Sequence, residues 1–148
     1  MTRLCIFLVL VFAVGCQQAA PHETAVTPDP ELAQLEAALA AAMTQTDMNI
    51  ASVKIAEFLD SKLASVEKQV ARKLDNVEQE RFAEFNERWR RYRIQDVQFW
   101  ASFYEGGTIQ PLVANNAYSA ITAQRITELE DLLGSFAGRA TITPDEPR

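Results

Sequence analysis

The sequence predicts an all-α domain, an antiparallel helical hairpin or bundle of about four helices, carried behind an export leader. Three observations lead there. Apolar side chains recur every three or four residues along four stretches after Pro30. No segment of useful length alternates with period two, so no strand is expected. Proline-bearing polar segments bracket the periodic region at both ends, so the packed unit falls between them.

The chain opens with Met1-Thr2-Arg3 and an unbroken apolar run of 11 residues, Leu4 to Val14. A spanning helix needs about 20 apolar residues. A short basic start, a short apolar centre and small residues at its end instead describe a secretion signal over residues 1–15. Ala13-Val14-Gly15-Cys16 then looks like a bacterial lipobox, in which the cysteine receives the lipid. Ala13 stands where that pattern prefers Leu. An ordinary small-residue cleavage site would cut the same bond, leaving Cys16 as a free thiol rather than a thioether. Lipidation of Cys16 is the preferred reading, and the absence of Asp after it resembles the signal for outer-membrane sorting. Two or more acyl chains, at about 0.8 kcal/mol per buried methylene, would hold the protein firmly on the envelope, facing the periplasm.

Residues 16–30 form the lipidated end and a tether, with Pro21, Pro28 and Pro30 and no apolar period. Asp29-Pro30-Glu31 then makes a helix start: a capping acid, a proline and an acid in the first turn. Leu32, Leu35, Leu39 and Met43 give a first helix ending near Met43. Thr44, Thr46 and Asp47 offer the next caps. The second helix carries Ile55, Leu59, Leu63, Val66, Val70 and Leu74 on one side, with a break at Asp75-Asn76. The third shows Phe82, Phe85, Trp89, Tyr92, Phe99 and Phe103, with Trp100 beside them, and a polar side pairing Glu84 with Arg88 and Glu87 with Arg91. Gly106-Gly107 is expected to stop it. After a connection over Thr108 to Pro111, a fourth helix runs from about Leu112 to Ser135 with Leu112, Ala117, Ile121, Leu129, Leu132 and Phe136 on its face. The helical domain is set at 31–138, and residues 139–148 are expected to be a disordered tail.

The charge balance narrows the function classes. The chain carries 14 basic and 20 acidic side chains, and losing Arg3 with the leader leaves 13 against 20. That composition argues against a nucleic-acid or phosphate binder, which needs a basic face, and it suits a basic partner. Cys5 would leave with the leader, so the exported domain has no pair of cysteines to oxidise. The one histidine, His22, lies in the tether, so no His/Cys metal centre and no cofactor is expected. Ser61, Ser65 and Ser119 have no histidine in the domain to activate them, and no glycine-rich phosphate loop occurs. The reading is therefore a binding protein, not an enzyme.

Two charges fall on apolar stripes: Asp96 between Tyr92 and Phe99, and Arg125 between Ile121 and Leu129. An unpaired charge in a seam is costly. They are expected to form a structural ion pair with each other, or a small network completed by Arg93 and Glu105.

Several stretches together resemble the LprI-like lysozyme-inhibitor N-terminal domain family. They are Thr44-Gln45-Thr46-Asp47-Met48-Asn49 with Asp60 and Leu63; Trp89, Tyr92-Arg93 and Asp96; Tyr104-Glu105-Gly106-Gly107-Thr108-Ile109-Gln110-Pro111; and Thr122 with Arg125, Glu128 and Leu129. They cover roughly residues 40–133. The family typically carries cysteines that cross-link the helices. The corresponding positions here are Ala51, Val97 and Ala117, with another near Leu39. The resemblance implies a secreted or lipid-anchored helical domain that inhibits lysozyme by binding. Tyr104, Glu105, Gly106, Gly107, Thr108, Ile109 and Gln110 are the candidate partner-binding loop, since they combine an aromatic ring, a diglycine and polar groups. The alternative is a non-enzymatic envelope adaptor or structural lipoprotein that docks another envelope protein or a copy of itself.

Overall fold

The computed structural model describes residues 29–139, with side chains described as far as Phe136. Cys5, Cys16, His22 and the tail after residue 139 lie outside these residues. Four helices make up the domain: α1 (Pro30–Ala40), α2 (Gln45–Ala71), α3 (Asn76–Ser102) and α4 (Gln110–Arg139). The expected all-α class holds, and no strand occurs among the described residues.

Local chemistry sets the boundaries. Asp29 caps α1 by accepting from the Glu31 amide, with Pro30 pre-shaping the first turn. The Thr44 hydroxyl caps α2 by accepting from the Asp47 amide. Asp75 and Glu78 form a reciprocal capping box at the start of α3. Several expected ends move, α4 running on to Arg139 rather than Ser135, and two of the shifts have a local cause. α1 stops at Ala40 rather than near Met43, which is almost fully exposed, so nothing packs there to extend the helix. α4 starts at Gln110, two residues early, because proline at position 111 fits a first turn whose amides have no helical partner anyway.

The core is a seam between α2 and α4. Ile55, Leu59, Leu63, Val66 and Val70 from α2 meet Ile126 and Leu129 from α4. Leu32, Leu35 and Leu39 of α1 cover one flank, and Phe82 and Trp89 of α3 the other. Consecutive helices run antiparallel, so α2 and α4 lie parallel. Cross-links at both levels show the register: Ser52 bonds Asn115, and Asp60 bonds Tyr118.

α3 departs from the sequence expectation. Its buried residues are Asn86 and Arg93, whereas Phe85, Tyr92, Phe99, Trp100 and Phe103 are about half exposed or more. Its aromatic stripe is therefore mostly on the surface, and the side facing α2 and α4 is polar. Glu84–Arg88 and Glu87–Arg91 pair on the outer face as expected.

Candidate functional site

Two features use the residues singled out in the sequence, and they lie in different places. The first is an internal polar network between α2, α3 and α4. Arg93 is only 7% exposed. Its guanidinium donates to Asp60 Oδ1 at 2.8 Å and to Thr122 Oγ1 at 2.9 Å. The other Asp60 oxygen accepts from the Tyr118 hydroxyl, and the Thr122 hydroxyl donates to the Tyr118 carbonyl. The guanidinium carbon also lies over the Tyr118 ring, 3.9 Å from its centroid, and over Trp89 at 4.8 Å. Arginine suits this position because its flat fork can bond at the edge and stack on its faces at once.

One turn pair away, Arg125 is 4% exposed. It donates to Asn86 Oδ1 at 2.8 Å and to Glu128 Oε2 at 3.3 Å, and it lies over Phe85 and near Trp89. Arg90 and Glu67 add an ion pair from α3 to α2. The expected Asp96–Arg125 pair is therefore replaced. Arg125 points toward the earlier turns of α3, where Asn86 sits, and no ion pair reaches Asp96 among the described residues. Arg93 does complete a network, but with Asp60 rather than Glu105, which is exposed.

Burial and the bond to Asp60 push the Tyr118 hydroxyl pKa up to about 12. A phenol held neutral beside an arginine-paired carboxylate is a structural strut. No group of three or more His, Cys, Asp or Glu side chains suited to a metal occurs among the described residues. No described helix is long and apolar enough to cross a membrane.

The second feature is the α3–α4 connection. Residues 103–109 form successive tight turns: Gly107 N–H bonds the Tyr104 carbonyl and Gln110 N–H bonds the Gly107 carbonyl. Gly106 takes φ of 75°, the left-handed conformation that glycine adopts at no steric cost. α3 has already ended at Ser102, so Gly106 shapes the turn rather than stopping the helix. A Cβ on Gly107 would come within 3.2 Å of the Tyr104 carbonyl, so that position too favours glycine. The turn is tied to the start of α2, where Asn49 Nδ2 donates to the Thr108 carbonyl at 3.0 Å. Gln45 Nε2 donates to Asn49 Oδ1 and fixes which way that amide faces. Residues 104–109 of the candidate loop are exposed, whereas Gln110 is half-buried as the first residue of α4.

The end of the molecule that carries the loop is poor in charge. From Ile94 to Gln124 the only charged side chains are Asp96 and Glu105, both acidic. Arginine and glutamate crowd the opposite half of α3 instead.

Asp60 and Thr122, recognised in the sequence only as elements of a family pattern, are thus joined in one network with Arg93, expected in a network with Glu105, and Trp89, expected on the apolar face. Tyr118 and Asn86 were missed. Tyr118 gave no signal beyond being an aromatic on α4, and Asn86 reads as a surface residue in any helical pattern. Ala51, Val97 and Ala117, where the resemblance implies cysteines, are half-buried, as is Leu39 near the fourth such position.

Comparison with known families matches residues 36–129 to the model described as lysozyme inhibitor LprI. No curated protein and no solved structure matches the chain. The family match spans α2 and α3 entirely, together with the network and the Asn49-clamped turn, and it covers well over half of the sequence. The chain belongs to the LprI lysozyme-inhibitor family.

Proposed function

We propose that this protein is a lipid-anchored envelope protein that inhibits lysozyme by binding it, with the loop Tyr104–Gln110 as the contact surface and Cys16 as the anchor. The observation that carries this reading is the clamped, exposed turn on a charge-poor acidic end of a family member. Lysozymes hydrolyse a glycan with two carboxyl groups set in a cleft, so a protruding loop that fills the cleft excludes substrate without any chemistry of its own. The inhibitor therefore needs shape and preorganisation rather than a nucleophile or a metal.

Charge supports the same partner. The common lysozymes are basic, and an acidic chain is steered toward them over distances set by the ionic strength. Glu105 in the loop carries the favourable sign, as does Asp47 in the first turn of α2, the helix to which the loop is tied. The test is an inhibition and binding assay of residues 17–148 with a basic lysozyme at low and at physiological salt. Binding with inhibition, weakening as salt rises, is the expected result. No binding at low salt removes the reading for that lysozyme.

A further inference from the structure

α3 carries an apolar seam that its own domain covers only in part. Phe85, Tyr92 and Phe99 repeat at seven-residue intervals, and Trp89, Asp96 and Phe103 fall four residues after each. This spacing, 3.5 residues on average, is that of a helix that packs lengthwise against another helix. Within the domain the inward side of α3 is a different line of residues, the one containing Asn86 and Arg93. The seam lies about a quarter turn away, with Phe85, Tyr92, Phe99 and Phe103 each more than half exposed. Phe99 meets Trp100 and Phe103 edge-on, with Trp100 and Phe103 tilted to each other, a preformed apolar surface.

We propose that this seam is the two-fold interface of a homodimer, with the α3 helices of two copies antiparallel and centred on Tyr92. The seam is complementary to itself in that arrangement. Phe85 of one copy falls opposite Phe99 of the other, and the two Tyr92 rings meet at the axis. Arg88 falls opposite Asp96, twice by symmetry, as an isologous interface requires. Asp96 needs such a partner: it stands in the apolar line and makes no ion pair among the described residues. Arg88 has only the exposed Glu84 at 3.7 Å on its own helix. The area is adequate. An aromatic side chain buries about 150–250 Å², so the five rings that stand about half exposed, Phe85, Tyr92, Phe99, Phe103 and the adjoining Trp100, leave roughly 500 Å² per copy. Across the pair that gives about 1,000 Å², the lower bound for a specific interface. The proposal is independent of lysozyme, since the loop Tyr104–Gln110 lies beyond the end of the seam.

Sedimentation equilibrium of residues 17–148, which retain every described element, tests it. The expected result is a reversible dimer at micromolar concentration. Phe99→Glu with Tyr92→Glu should give a monomer of unchanged helicity, because both positions are exposed. Asp96→Arg should abolish the dimer by placing two arginines together, and Arg88→Glu added to Asp96→Arg should restore it. A wild-type chain that stays monomeric at high micromolar concentration overturns the proposal. So does a dimer that survives the glutamate substitutions, or one that the paired charge reversal fails to restore.

Discussion

Asp60 holds two groups at once, the Arg93 guanidinium and the Tyr118 hydroxyl, and so joins three helices through one carboxylate. Removing it strands a buried cation, and breaking such a pair from one side costs about 3–5 kcal/mol. Asp60 is itself half exposed, and Thr122 still accepts from Arg93, so Asp60→Ala is expected at the low end, about 3 kcal/mol. Asp60→Asn, which keeps an acceptor, should cost less; urea unfolding measures both, and an Asp60→Ala protein as stable as wild type would refute the role. Tyr118 gives a separate, pH-resolved signature. Its pKa is raised to about 12 in the folded protein from the ordinary value of 10.0. The folded chain therefore keeps a proton that the unfolded chain sheds, and the contribution is intact below pH 10 and lost as pH rises toward 12. Tyr118→Phe should lower stability at neutral pH by about 1.5–3 kcal/mol, as for a hydrogen bond to a charged group, and should remove this alkaline component. An unchanged alkaline slope in the variant would assign the titration elsewhere.

The helices themselves were legible as elements because their start signals are short-range chemistry. Asp29-Pro30, Thr44 and Asp75 cap in the structure as their sequence context indicates. The α2 face was legible too, since Ile55, Leu59, Leu63, Val66 and Val70 are aliphatic and all face one partner. α3 was not. Periodicity assigns aromatic residues to the core and arginine to solvent, yet here Arg93 and Asn86 turn inward and four rings of the stripe remain outside. An arginine can do this only where carboxylate, hydroxyl and ring partners converge from other helices, and such convergence is invisible along one helix. The loop was legible as a diglycine turn, but its clamp was not, because Asn49 and Thr108 are 59 residues apart. At this scale the clamp makes a prediction. Asn49→Ala should speed amide exchange in residues 106–110 by about fivefold, the worth of one net hydrogen bond of about 1 kcal/mol. Asn49→Asp should do more, because a carboxylate opposes the Thr108 carbonyl. Exchange rates equal to wild type in both variants would show that the turn holds itself.

The whole molecule divides its labour between a tied interior and a displayed end. Among the described residues an apolar seam between α2 and α4 and a polar network toward α3 hold the helices without a cysteine in any of them. Half-buried Ala51, Val97 and Ala117, with a position near half-buried Leu39, stand where the family resemblance implies cross-linking cysteines. A disulfide is typically worth about 2–4 kcal/mol, and the apolar burial and charged hydrogen bonds described above are of sufficient size to replace it. The family match covers the scaffold, the clamp and the displayed turn alike, whereas the bonds that join the helices lie in the scaffold. Binding strength should therefore reside in the loop, and stability in the network. The most direct test replaces residues 104–110 with a glycine-serine turn of equal length and measures lysozyme inhibition beside thermal unfolding. Retained cooperative unfolding with inhibition lost is the result expected; inhibition undiminished in the replaced chain would contradict the account.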